Sequence, residues 1–166
     1  YFASRDLTVP KITRIDPAIE FDFGSAAPHP SMATNNISMR WVGQIKPAHS
    51  ESYTISTLTD DGVRVWLDEK LIIDNWTDHP PIEDSATVQL TAGVRYSIRM
   101  EYYQGGGSAI VKLMWASRST PKQVIPKEFL FPSDIALAGE TSPEADTNKL
   151  QSGYREAARL LADAPD

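Results

Sequence analysis

The sequence contains no cysteine. That excludes disulfide staples, thiolate nucleophiles and zinc–thiolate sites together, and leaves the redox compartment open. An excess of basic residues is missing as well: Lys and Arg total 16 against 22 Asp and Glu, a formal net charge of -6, so a phosphate backbone would be repelled overall. No apolar run approaches the roughly 20 residues a membrane helix needs. Runs such as Val63 to Leu67, with Arg64 inside it, fall far short. Also absent are a Gly-x-Ser-x-Gly elbow, a phosphate-cradling glycine loop and any signature of an acid/base carboxylate pair, so an independent catalytic site is not expected. The three histidines, His29, His49 and His79, lack zinc-site spacing and sit near proline or polar residues. The chain opens on Tyr1-Phe2 without Met or a leader-like segment, which leads us to expect a piece of a larger protein.

What is present is strand periodicity. Val94, Tyr96, Ile98, Met100 and Tyr102 alternate with Arg95, Ser97, Arg99, Glu101 and Tyr103, a period of two with one apolar face. Tyr53, Ile55 and Thr57 repeat the pattern, as do Val63, Val65 and Leu67, then Val111, Leu113 and Trp115. Ile19 to Phe23 reads as an edge strand, Gly24 to Thr34 with Pro28 and Pro30 as a surface loop, and Met39 to Gly43 as a return to the sheet. The segment Val63 to Ile73, broken by Asp68-Glu69-Lys70, predicts a hairpin that lacks the usual turn glycine. Short alternating strands separated by turn signals predict an all-β fold, an antiparallel sandwich or barrel, over residues 1–132. After Phe131-Pro132 the composition shifts to Ala, Glu, Asp and Ser; Leu150, Tyr154, Ala157, Ala158 and Leu161 then predict one amphipathic C-terminal helix over about 146–163 within a linker or tail, 133–166. That helix would link to, or dock on, a neighbouring domain.

The candidate chemistry lies at Thr59-Asp60-Asp61-Gly62, two carboxylates in a loop between strands. An oxygen-rich loop suits calcium, which takes six to eight oxygens in typical sites. Neighbouring side chains on an extended trans backbone point to opposite sides, so both would grip one ion only if something turned them together, such as a cis peptide between them. From these four residues alone an ordinary polar turn is the simpler reading. A second loop, Tyr103-Gln104-Gly105-Gly106-Gly107-Ser108, can turn carbonyl oxygens inward while Gln104 adds an amide oxygen, although a flexible hairpin loop explains the glycines equally.

The runs Thr57 to Asp68, Leu71 to Trp76 and Ala92 to Tyr103 resemble the protective-antigen-fourteen domain, and the similarity reaches from Tyr1-Phe2 to Ile125-Pro126 and Phe129-Leu130. The resemblance implies a β-sandwich of that type. In lectin members of the family a consecutive Asp pair with a cis link holds calcium, and sugar hydroxyls complete its coordination. By resemblance Asp60 and Asp61 are calcium ligands, Gln104 supplies a side-chain oxygen, and Gly106 and Ser108 are the carbonyl donors. Ligand contact is expected at Asp60, Asp61, Tyr103 and Gln104, with Asp78 and His79 as rim candidates. The resemblance thus implies a calcium-dependent module that binds a glycan or polysaccharide at the cell surface or outside the cell, non-catalytic, within a larger protein. Two alternatives stand beside it: a structural or protein-interaction domain that keeps its calcium site for loop order, and an accessory domain shaping a glycosidase active site. The long specificity loops of fungal members have no counterpart here, so sugar preference does not carry over. Trp41, Trp66, Trp76 and Trp115 are expected to pack in or on the sheets.

Overall fold

A computed structural model describes residues 1–133; the helix expected at 146–163 and the tail that carries it lie outside the described residues. Ten strands form two antiparallel sheets: β1 (Glu20–Gly24), β2 (Ile37–Ile45), β3 (Glu51–Asp60), β4 (Val63–Leu67), β5 (Lys70–Asn75), β6 (Ile82–Leu90), β7 (Tyr96–Gln104), β8 (Ala109–Ala116), β9 (Gln123–Val124) and β10 (Leu130–Pro132). One sheet runs β1-β8-β3-β6, with β9 pairing on β8 beyond β1; the other runs β10-β2-β7-β4-β5. The only helical structure among the described residues is a single 3-10 turn, Lys127–Phe129. The all-β expectation holds, and β1 is an edge strand as its sequence suggested.

The apolar face of each strand closes a common core. Tyr53 and Ile55 of β3, Val111, Leu113 and Trp115 of β8, Val63 and Val65 of β4, and Met39, Met100 and Tyr102 of the facing sheet are buried together. Burying side chains of this size contributes on the order of 2 kcal/mol each, before the entropy of ordering the chain is subtracted. The β4–β5 hairpin turns on Asp68 and Glu69, both in the left-handed region (φ 45° and 66°), the conformation a two-residue hairpin loop requires. Without glycine the turn is held from outside: the Asp68 carboxylate accepts the Ser97 N–H at 2.8 Å, and the Asp68 N–H reaches the Ser97 carbonyl at 2.9 Å.

The strand expected from Val94 begins two residues later. Gly93 at φ 77° and the Val94 N–H bonded to the Thr91 carbonyl make residues 91–94 a turn, and Val94 stays exposed. The outward face of β7 also departs from a simple polar face, because Glu101 and Tyr103 point outward yet are buried. Glu101 is gripped from both neighbouring strands, by Arg40 of β2 at 2.8 Å and Arg64 of β4 at 3.0 Å. Arg64 in turn lies 4.0 Å from the Trp76 ring centroid, and Trp76 meets Tyr103 edge-on at 4.7 Å. A charged carboxylate is tolerated there because two guanidinium groups compensate it.

Register decides where the loops gather. Asp60 pairs with Ile110, Thr59 with Ile82, Val63 with both Tyr102 and Asn75, and Ile37 with Gln104. Four crossings between the sheets, β1 to β2, β3 to β4, β5 to β6 and β7 to β8, therefore sit at one end of the sandwich. At the other end the start of β3 is tied down by Glu51, whose carboxylate accepts the Ser119 hydroxyl at 2.5 Å and the Ser119 N–H at 3.0 Å.

Two outcomes are expected. Replacing Glu101 with Ala leaves Arg40 and Arg64 without their shared carboxylate and lowers unfolding stability by roughly 1–3 kcal/mol in urea titrations. The hydrogen bonds from Ser119 hold the Glu51 carboxyl at about 2, below its ordinary 4.5, so this contact stabilises fully above pH 4.5 and is lost as pH falls through 2. Glu51→Gln should flatten the acid limb of the stability-versus-pH curve in that window while leaving stability at neutral pH lower than in the parent.

Candidate metal and ligand site

Asp60 and Asp61 lie at the crossing from β3 to β4, and the peptide between them is cis. Both are largely buried, at 9% and 6% exposure. Their surroundings differ. Asp61 is tied to two loops: its Oδ1 accepts the His79 N–H at 3.1 Å and its Oδ2 accepts the Gly105 N–H at 2.8 Å. Among the described residues the Asp60 carboxylate accepts no hydrogen bond. Burial, and then the neighbouring Asp61 charge, push its carboxyl above the ordinary carboxylate range, with His79 acting in the opposite sense.

Oxygen acceptors outnumber donors around this pair. The Tyr102 hydroxyl lies 2.5 Å from the Asp60 carbonyl and 3.0 Å from Gln104 Oε1, and its single proton can serve one of them fully. Gln104 is fully buried and donates its amide N–H to the Ser108 carbonyl at 3.2 Å. Burial raises the Tyr102 phenol well above its ordinary value, reinforced by Asp60 and Asp61, so it stays a neutral donor.

The set of oxygens fits a hard cation: two carboxylates, an amide oxygen with a lone pair to spare, and the carbonyls of Asp60 and Ser108. No group of three or more His, Cys, Asp or Glu comes together among the described residues, so an ion here would take its remaining oxygens from amides, carbonyls, water or a ligand. Asp60, Asp61, Gln104 and Ser108 are brought together. Gly106 is open, with no neighbour within 4 Å of the position a Cβ would take, and Gly107 at φ 88° turns the loop beside it.

The expected ligand-contact residues divide. Asp78 is exposed, and His79 bonds its ring Nδ1 to the Pro80 carbonyl at 2.8 Å while its N–H holds Asp61. Tyr103 is 1% exposed, covered by Arg5, whose guanidinium lies 4.1 Å from the ring centroid; its hydroxyl donates to Asp78 at 2.6 Å. Tyr103 supports the rim rather than presenting a surface. Arg5, which also pairs with Asp78, has no sequence signal, since it arrives from the N-terminal segment and only the tertiary fold puts it here. Tyr102 reads in the sequence as one more apolar-face residue; its hydroxyl role appears only once β7 is set against the β3 crossing. Trp115 is core, Trp41 packs beside Phe21, and Trp66 and Trp76 lie under arginines.

The PA14 domain model matches residues 2–128. The chain belongs to the PA14 domain family. A curated relative, the anti-sigma-I factor RsgI3 of Acetivibrio thermocellus, is 42% identical over 160 residues, which is 96% of this chain and 24% of that protein. The chain therefore spans about a quarter of that relative. A solved anti-sigma factor domain-containing protein superposes with a TM-score of 0.79 at 44% identity, covering 80% of this chain and 46% of that one. The PA14 sugar-binding domain from an RTX adhesin shares the fold, with a TM-score of 0.58 at 12% identity over 70% of this chain and 77% of that one.

Gly62 follows the acidic pair in this crossing. A Cβ there would lie 2.3 Å from Tyr103 Cε1, inside a ring already pinned by Arg5 and Trp76. Gly62→Ala should cost roughly 1–3 kcal/mol of unfolding stability, measured in denaturant, from overpacking.

Proposed function

We propose that this PA14 domain is a calcium-dependent glycan-binding module of a larger exported protein, without catalytic activity of its own. The observation that carries the reading is the Asp60 carboxylate, buried beside a second carboxylate and accepting no hydrogen bond among the described residues. A buried, unpaired charge of this kind is costly unless something compensates it. Calcium, when bound, supplies the missing positive charge and coordination positions that sugar hydroxyls can take.

The residues divide the work. Asp60 and Asp61 hold the charge, Gln104 and the Ser108 carbonyl supply neutral oxygens, and the backbone N–H groups of His79 and Gly105 fix the Asp61 carboxylate so that it does not rotate away. The fold shared with a sugar-binding adhesin domain supports the glycan half of the proposal. The anti-sigma factor relatives support a parent in which this module provides ligand recognition for a regulatory protein. A second reading has its own observation: because Asp61 ties two loops together, calcium could serve loop order alone in a protein-interaction domain.

Calcium titration by calorimetry should give a dissociation constant of about 0.1–1 mM, the range of extracellular calcium modules. At ~10 mM calcium the domain should then gain ~1.4–2.7 kcal/mol of stability. Asp60→Asn should abolish that gain and, in chelator, melt a few degrees higher than the parent, because it removes a buried like-charge repulsion. A glycan array run with calcium and with chelator separates the two readings: calcium-dependent capture supports the module, whereas calcium binding with no glycan retained across a broad panel leaves only loop order.

A further inference from the structure

Arg5 and Asp78 form an ion pair at the surface, with side chains 42% and 62% exposed. Such a pair contributes little to stability. This one is nevertheless braced by its neighbours. The N-terminal segment is folded around Ser4 and Ser38: Ser38 Oγ donates to the Ser4 carbonyl at 2.6 Å, Ser4 Oγ accepts the Thr8 and Val9 N–H groups, each at 3.1 Å, and Phe2 bridges to Ser38 and Pro10. From that base Arg5 lies over Tyr103, whose hydroxyl bonds the same Asp78 oxygen that Arg5 takes. Tyr103 is braced by Trp76, and Trp76 by Arg64 on buried Glu101.

The pair stands next to the acidic crossing with only a glycine between. A Cβ at Gly105 would lie 3.2 Å from Asp61 Oδ2 and 3.3 Å from Arg5 Nη1, so those two atoms are at most 6.5 Å apart, the two distances laid end to end. Among the described residues Arg5 Nη1 has no acceptor, because the guanidinium reaches Asp78 through Nη2. The second Asp78 oxygen likewise receives no hydrogen bond. A free donor and a free acceptor, on two partly exposed side chains tied together through Tyr103, thus lie beside the acidic crossing. A sugar hydroxyl both donates and accepts, and Arg presents its donors in a rigid plane.

We propose that Arg5 and Asp78 are a second recognition element of the site, taking a further hydroxyl of a pyranose whose first two hydroxyls sit at Asp60 and Asp61. This rests on the calcium-dependent glycan reading above and adds the class of sugar to it. Arg5 and Asp78 cancel in charge, and a calcium ion would be matched by Asp60 and Asp61, so these residues favour a neutral sugar over a uronate. Gly105 is required in this arrangement because any side chain there fills the gap between the two elements.

The test uses the full chain with calcium, and the gluco, galacto, manno and xylo methyl pyranosides, their uronates, and monodeoxy derivatives of the tightest binder. Arg5→Ala should weaken binding of the neutral glycoside roughly tenfold or more, the worth of a charge-assisted hydrogen bond. Calcium affinity should not change, and the melting temperature should fall by no more than a few degrees, the loss of the contact with Tyr103. For the one deoxy sugar lacking the third hydroxyl, parent and Arg5→Ala should bind alike, a result that a merely structural role for Arg5 would not give. Asp78→Asn, a milder change, should show the same pattern. The inference is overturned if Arg5→Ala binds like the parent, if it loses equally on every deoxy sugar, if it loses calcium as well, or if uronates bind best. Calcium bound with no glycan retained removes this inference together with the glycan reading. Glycan binding that is sensitive to Arg5 but indifferent to chelator removes the calcium reading and leaves the Arg5–Asp78 element standing.

Discussion

Two carboxylates on consecutive residues, buried where the chain crosses from one sheet to the other, are the constraint around which this end of the molecule is organised. One is satisfied by the protein: Asp61 receives N–H groups from the loops on either side. The other has no such partner, and its own neighbour raises the cost of its charge. The imbalance persists because strand register fixes the crossing. Asp60 is the last ladder residue of β3, opposite Ile110, and Val63 is already paired in the other sheet, so the two residues between have nowhere else to go.

The outer face of the β2-β7-β4 sheet supports the site in a way the core does not. A run of contacts leads from buried Glu101 through Arg64, Trp76 and Tyr103 to Arg5 and Asp78, an ion pair at each end of two touching aromatic rings. Cation–π contacts of this kind contribute about 0.5–2 kcal/mol each according to how far they are desolvated, and they also fix orientation. Arg5, on a segment remote in sequence, is thereby tied to the sheet through Tyr103. The core beneath, from Trp115 to Met100, holds the two sheets together.

Much of this was legible in the sequence. The alternation in Tyr96 to Tyr102 and in Val63 to Leu67 gave correct strands because one face of each packs on the core, which is the condition under which period two is visible. The Asp60-Asp61 pair stood out as adjacent charges at a strand end. What the sequence hid depends on partners distant along the chain. Glu101 and Tyr103 look like solvent-facing positions, and only the arginines and tryptophan brought over them by β2, β4 and the β5–β6 loop make them buried. Arg5 sits in no periodic pattern at all. The hairpin at Asp68-Glu69 lacked its glycine because Ser97 on β7 supplies the restraint that glycine would have made unnecessary.

The central claim is that the acidic crossing holds a calcium ion. Crystals grown in millimolar calcium, with anomalous diffraction collected at long wavelength, test it most directly. The account predicts an anomalous peak about 2.3–2.6 Å from carboxylate oxygens of both Asp60 and Asp61, with Gln104 or a loop carbonyl completing the protein's share of the shell. A map with no anomalous density at that position, in crystals whose other surface sites have taken up calcium, would contradict it.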